Sequence, residues 1–271
     1  LYYLSIIKLA ELFGVKTYIY ANGIGPVNKP QNRKKVKKIL NRADMITLRE
    51  KSSADELKAL GVDAGYEITA DPVFAISPED EKSTGDYLEK KGLNRGENYF
   101  VVSVRPWLKT KEDFAEQTAL FCRKIYDAEG LIPVILAMQP AKDSALSEEI
   151  CKAAGIRCIL INESLGCERI LGILRGASFA AAMRLHTLIY AAKTGTPSIG
   201  ISYDPKVSAM LEYTNQDFNI NIEKVNSDIL FEYAEKILKN KEEISNALKE
   251  RADCLAALAE KNAEIAAKLL K

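Results

Sequence analysis

Arg184, His186 and Lys206 lie within one stretch, Ser178–Lys206 (SFAAAMRLHTLIYAAKTGTPSIGISYDPK), and His186 is the only histidine among 271 residues. An imidazole that titrates near neutrality can give or take a proton at a reacting group. The planar fork of arginine suits bidentate contact with a phosphate or carboxylate. Two more arginines, Arg49 and Arg105, follow apolar runs of the same kind, and Tyr203 joins the set as a binding residue. Gly23 and Gly25, in Asn22-Gly23-Ile24-Gly25-Pro26, can take positive φ and let the backbone approach a ligand closely. Taken singly, each feature has a plain alternative: a surface ion pair, a structural histidine, an ordinary turn. Together they point to acid–base chemistry on a substrate with more than one negative charge.

These residues need strands that end beside one another. The sequence predicts a strand ending near Met183, a turn carrying Arg184 to His186, a helix over Thr187–Lys193 and a strand over Ser198–Ser202. Ligands bind at the C-terminal ends of such strands, where helix N-termini offer N–H groups to anions. Upstream, helical spacing covers Leu1–Phe13, closed by Gly14. Strands follow at Lys16–Ala21, Met45–Leu48 and Ile68–Phe74, with helices at Lys29–Ala43 and Ala54–Leu60. The Lys29–Ala43 helix is basic, which suits either a solvated face or a local field for an anionic acceptor. The polar segment Ser77–Asn98, with a short helix at Asp86–Lys91, reads as a connector.

Beyond it, strands are expected at Tyr99–Val104, Leu131–Ala137 and Arg157–Ile161, with helices at Glu112–Ala128, Ala145–Ala154 and Glu168–Arg175. After Lys206 the pattern weakens to a helical turn at Ser208–Leu211 and helices at Ile229–Lys239 and Lys241–Leu270. Alternating strands and helices make the chain α/β with parallel sheets. The expected domains are 1–92, 93–242 and a C-terminal helix over 243–271 that packs on the body.

A formal net charge of +1 provides no whole-protein attraction to nucleic acid, so any electropositive feature is local. The five cysteines lack metal-ligand or disulfide spacing and read as small buried apolar residues in a reducing, cytoplasmic setting. No apolar run approaches the ~20 residues of a membrane span. Neither metal nor organic cofactor is called for.

The run RLHTLIYAAKTGTPSIGISYDPK resembles the signature of the polysaccharide pyruvyl transferase family, in its CsaB-like bacterial branch. YANGIGPV (20–27), ITLREKSS (46–53) and VVSVRPW (101–107) are similar to the same branch. The resemblance implies two Rossmann-like domains facing a cleft, the GT-B arrangement. It also implies that the N-terminal domain is incomplete, lacking a strand and a G-G-G-x-x-x-Q-D segment. The implied reaction moves a pyruvyl group from phosphoenolpyruvate to two hydroxyls of a sugar in a bacterial cell-wall polysaccharide. The acceptor would be a sugar or lipid-linked saccharide, of N-acetylmannosamine type, reached at the inner face of the membrane. In that reaction His186 is the expected general acid/base and Arg184 a clamp on phosphate or carboxylate. Lys206 and Arg49 complete the donor site, and Arg105 either joins them or anchors a domain interface.

Two rival readings stand. A nucleotide-sugar glycosyltransferase or epimerase of GT-B type would hold a diphosphate with the same residues, although Glu212 is a poor candidate for the acid that grips a ribose. A non-catalytic binding fragment is the other.

Overall fold

Short apolar runs, separated by helices that close on glycine, fold as parallel strands with helical crossovers. The computed structural model describes residues 2–108 and 113–269. The expected helix starts at Leu1 and Glu112 and the helix end at Leu270 lie outside the described residues. The chain divides into two units, 1–75 with 253–271, and 76–252.

The first unit runs α1 (Tyr2–Leu12), β1 (Tyr18–Asn22), α2 (Pro30–Leu40), β2 (Met45–Leu48), α3 (Lys51–Leu60) and β3 (Glu67–Ile68). Its three strands are parallel in the order β1-β2-β3. Ile19, Ile46, Leu48, Ala54 and Leu57 form the core between sheet and helices. Pro30 opens α2, where its missing N–H costs nothing, and Gly61 closes α3 in the left-handed conformation. The strand expected over Ile68–Phe74 stops at Ile68 and gives way to a 3-10 turn, Pro72–Ala75. Pro72 has no N–H for a ladder, and the Asp71 carboxylate accepts from the Val73 amide at 3.2 Å, which bends the chain.

The second unit contains α4 (Glu81–Lys90), β4 (Tyr99–Ser103), α5 (Phe114–Glu129), β5 (Ile132–Leu136), α6 (Pro140–Ala154) and β6 (Ile159–Ile161). It continues with α7 (Cys167–Gly176), β7 (Ala180–Ala182), α8 (Leu185–Thr194), β8 (Ser198–Ser202), α9 (Pro205–Tyr213), β9 (Asn219–Asn221) and α10 (Ser227–Lys239). All six strands are parallel, in the order β6-β5-β4-β7-β8-β9. Every residue of β4, β5, β7 and β8 is buried, as expected for strands covered on both faces. Phe100 stacks on Phe179 with ring centroids 4.9 Å apart, and Phe121 meets Phe100 edge-on.

Several expectations are corrected in this unit. The short helix expected at Asp86–Lys91 in the polar connector is the longer α4, which starts five residues earlier because its N-cap Asp80 accepts from the Ser83 amide at 2.8 Å, and α4 packs on α7. Helix α6 begins at Pro140, five residues earlier than the apolar pattern indicates, because the buried Asp143 side chain accepts from the Gln139 amide at 2.9 Å. Helix α9 is a full helix, because the Asp204 carboxylate caps it and Gly200 leaves room for it. A Cβ at Gly200 would lie 2.3 Å from Leu211 Cδ1. Strand β9 escaped the sequence pattern because only Ile220 among its three residues is buried. Of the cysteines, only Cys122 is buried; Cys254 is exposed and the other three are half-buried.

A final helix, α11 (Lys241–Leu269), starts in the second unit and ends in the first. In the first unit it delivers Asn262, fully buried, whose amide oxygen accepts from the hydroxyls of Thr47 at 2.7 Å and Thr69 at 2.8 Å. Its Nδ2 donates to the carbonyl of Ala70 at 3.1 Å. A buried amide is thereby satisfied on both atoms.

Candidate active site

In the second sheet the chain leaves β4 toward β5 on one side and later returns to β7 on the other. The switch point of this open sheet is therefore at the C-terminal ends of β4 and β7, where ligands bind in such sheets. Ser103 pairs with Ala182, and Ala182 with Gly200. Two residues beyond that level the strands deliver Arg105, Arg184 and Ser202, with Tyr203 next. The hydroxyl of Thr187 donates to that of Ser103 at 3.0 Å, both fully buried, and ties the first turn of α8 to the end of β4.

Arg184 sits just before α8, in extended conformation, and no side chain caps that helix. Its N-terminus is thus open to an anion by the ordinary dipole argument. Arg184 is itself 8% exposed and already engaged. Its Nε donates to Asp143 Oδ2 at 3.0 Å and its Nη2 to Asp143 Oδ1. Asp143 is fully buried at the start of α6 and was missed in the sequence. This side-on pair takes up much of the charge that a substrate clamp would use.

His186 is exposed in the first turn of α8, with its ring edge-on to Tyr190 at 6.1 Å between centroids. Lys206 is half-buried near the start of α9, where the Asp204 carboxylate accepts from the Lys206 amide at 2.9 Å. The N-terminus of α9 is therefore filled by its own carboxylate. Among the described residues the Lys206 ammonium has no ion pair.

Arg105 is half-buried and meets no carboxylate among the described residues. Its guanidinium carbon lies 5.3 Å from the ring centroids of both Trp107 and Tyr203. Nη1 donates to the Tyr203 hydroxyl at 3.3 Å, while the buried Nε has no partner. Trp107, which ends the VVSVRPW run, was not among the expected site residues; its place two positions after Arg105 was the available signal.

Gly23, Gly25 and Arg49 belong to the first unit and are described apart. Arg49 donates from Nε to Glu50 Oε2 at 2.8 Å and from Nη1 to Asp71 Oδ2 at 2.9 Å. A Cβ at Gly23 would lie 2.9 Å from Arg49 Nη2, so the glycine turn rests directly on this guanidinium. At Gly25, φ is +97° and a Cβ would lie 2.7 Å from Glu56 Cγ. Both glycines are needed for close approach, here to the protein's own side chains. In α2, Arg33 holds the carbonyls of Val27 and Ala59, at 3.1 and 2.7 Å, whereas Lys34, Lys35 and Lys38 are exposed. Among the described residues no group of three His, Cys, Asp or Glu side chains could hold a metal ion, and no helix is long and apolar enough to cross a membrane.

Solved structures share this fold at low identity. The UDP-GlcNAc 2-epimerase of Neisseria meningitidis, bound to UDP-GlcNAc, superposes with a TM-score of 0.67 at 8% identity, over 98% of this chain and 73% of that one. HepE of Anabaena, in complex with UDP, gives 0.64 at 11% identity, over 98% and 75%. A glycosyltransferase of Rickettsia africae gives 0.64 at 11%, over 98% and 80%. The fold class is thus α/β of the GT-B type. No curated protein matches the chain. The family model that matches is polysaccharide pyruvyl transferase, over residues 1–205, a span that includes Arg49, Arg105, Arg184, His186 and Tyr203. The chain belongs to the polysaccharide pyruvyl transferase family.

Proposed function

We propose that this chain transfers a pyruvyl group from phosphoenolpyruvate to two hydroxyls of a sugar, forming a cyclic ketal and releasing phosphate. The acceptor is a sugar of a bacterial cell-wall polysaccharide, carried on a lipid and met at the membrane surface. One observation carries the reading: a histidine stands at an uncapped helix N-terminus, on the switch point of a parallel sheet, with Arg105 and Lys206 on the neighbouring strand ends. The donor brings a phosphate and a carboxylate, which these cations and the helix end can hold.

The chemistry asks for a proton in and a proton out. The vinyl C3 of the donor gains a proton while a sugar hydroxyl, losing its own, bonds to C2. The C2–O bond to phosphate then breaks as the second hydroxyl oxygen bonds to C2 and closes the ketal, and the proton of that hydroxyl leaves with the phosphate. His186, exposed in the first turn of α8, serves as this acid and base in succession. Lys206 and Arg105 stabilise the departing phosphate. Arg184 contributes by fixing the turn that carries His186. In the first unit, Gly23, Gly25 and Arg49 form a substrate-binding turn.

A second reading has an observation of its own: neighbours of the same fold are solved with UDP or UDP-GlcNAc. Incubation with phosphoenolpyruvate and an N-acetylmannosamine-containing lipid-linked saccharide tests the first. It requires phosphate release and an acceptor heavier by one pyruvate less one water. Release of UDP from a nucleotide sugar, without reaction of phosphoenolpyruvate, would establish the second reading instead.

A further inference from the structure

A cavity of about 360 Å³ opens in the second unit at the N-terminal end of β4, between α4 and the last turn of α7. The strands of this sheet are parallel, so the cavity lies at the edge opposite to the one that carries Arg105, His186 and Lys206. Its floor is apolar, made by the buried side chains of Leu88, Leu93 and Tyr99. Small-molecule sites have this size and this kind of lining, with a few polar groups to orient the ligand. One cation is built into the wall. Arg175, half-buried in the last turn of α7, donates from Nη2 to the Glu79 carbonyl at 2.8 Å, an acceptor without net charge. That contact holds the guanidinium and leaves its charge in place. By contrast, Arg95 is ion-paired with Asp86 and Glu89, and Glu97 with Arg157. Glu81 and Lys82 are exposed and offset each other in charge.

Gly85 is the second observation. Glu81, Gly85 and Leu88 share the face of α4 that lines the cavity. A glycine inside a helix is unfavourable relative to alanine. The two glycines of α7 have a packing reason: a Cβ would clash with the Thr84 hydroxyl at Gly172 and with the Tyr99 hydroxyl at Gly176. At Gly85 a Cβ would meet nothing within 4 Å. Packing within the chain gives no reason for glycine there, whereas an open cavity does.

We infer that this cavity is a second binding site, for a small carboxylate with an apolar body. The carboxylate accepts from Arg175, and the body lies on Leu88, Leu93 and Tyr99. A planar carboxylate matches the fork of arginine. A bare phosphate would use the fork and leave the apolar floor unfilled. A neutral molecule would fill the floor and leave the guanidinium without a counter-charge. The site is independent of the proposed pyruvyl transfer, since none of its residues carries that reading.

The full chain is titrated with phenylacetate, phenylacetamide and inorganic phosphate by calorimetry, with backbone amide shifts followed in parallel. Phenylacetate is expected to saturate and to shift the amides of Leu88, Gly96 and Gly176, which line the cavity. Phenylacetamide has the same shape without the charge and should bind about ten- to hundredfold more weakly. Phenylacetate should lose affinity by a similar factor in Arg175→Gln. Phosphate should bind more weakly than phenylacetate. Gly85→Leu places an apolar side chain on the cavity face at a position where helix propensity favours it. That variant should keep or raise the melting temperature while abolishing saturation, which separates loss of the site from loss of the fold. Phosphate or phenylacetamide binding as tightly as phenylacetate overturns the inference. So does saturation that persists in Gly85→Leu with shifts at Arg105 and His186, or the absence of binding by any of the three probes.

Discussion

Arg184 and Asp143 form a buried, side-on ion pair across 41 residues of sequence, from the N-terminus of α8 to that of α6. Asp143 is fully buried, and its Oδ2 also accepts the Gln139 amide. Removing one partner leaves a desolvated charge without its counterpart, which costs about 3–5 kcal/mol. Asp143→Ala is therefore expected to lower unfolding stability by about that amount in urea titrations. Replacing both together, as Asp143→Leu with Arg184→Met, should recover most of it. Additive losses in the double variant would show that the two side chains do not act as a pair.

His186 offers the opposite contrast, because it is exposed in the first turn of α8. His186→Gln is expected to leave the melting temperature within about 1 °C, since surface substitutions are usually near neutral. Donor affinity should stay near wild type while pyruvyl transfer falls about 10²–10⁴-fold, the usual worth of a general acid or base. Turnover within a factor of ten of wild type would remove His186 from the chemistry.

The stretch from β7 to β8 was legible because three local signals agree there: an apolar run, a helix closed on Gly195 and a second apolar run. Gly195 indeed caps α8 with φ +72°, and β8 occupies Ser198–Ser202 as read. What stayed hidden depends on partners far along the chain. Asp143, within Ala141-Lys142-Asp143-Ser144, looks like any solvated helix start until Arg184 covers it. Strand β9, Asn219-Ile220-Asn221, shows one apolar residue, and its identity as a strand comes from the ladder with β8. At Asp71-Pro72 the apolar flanks suggested a strand, but local turn chemistry prevailed over hydrophobic pattern. The strand-end cations could be listed from sequence; which of them were already neutralised could not.

Gly25 and Gly14 both adopt positive φ, at +97° and +66°, but only Gly25 is crowded. A Cβ at Gly14 meets nothing within 4 Å, so Gly14→Ala should cost only the backbone term of about 1–2 kcal/mol. At Gly25 the same methyl would also press on Glu56 at Cγ and Cβ. That would disturb the carboxylate that accepts from the Val27 amide at 3.1 Å. Overpacking adds about 1–3 kcal/mol, so Gly25→Ala should lose about 2–5 kcal/mol in denaturant unfolding. Equal losses at the two glycines would mean that the Glu56 contact has no energetic weight.

Acid sensitivity follows from four carboxylates whose pKa values are lowered by their hydrogen bonds. Arg157, aided by the Asn94 amide, holds Glu97 down to about 2. Glu79 is lowered chiefly by Arg169, Glu163 by Lys91 and Tyr87, and Asp44 by the Thr17 amide. A carboxylate whose folded pKa is depressed stabilises the fold above its ordinary titration range. The unfolded chain takes up the proton first as pH falls, and the contribution is lost on the way down to the folded pKa. Melting temperature should therefore hold level to about pH 5 and decline below about pH 4.5, modestly, because all four groups are near solvent and screened. Arg157→Ala removes the strongest of these shifts: Arg157 donates to both Glu97 oxygens, at 2.6 and 2.8 Å. That variant should start from a lower melting temperature at pH 7 and lose less of it between pH 5 and pH 3. An acid branch as steep as that of the wild type would show that Glu97 carries no part of the linkage.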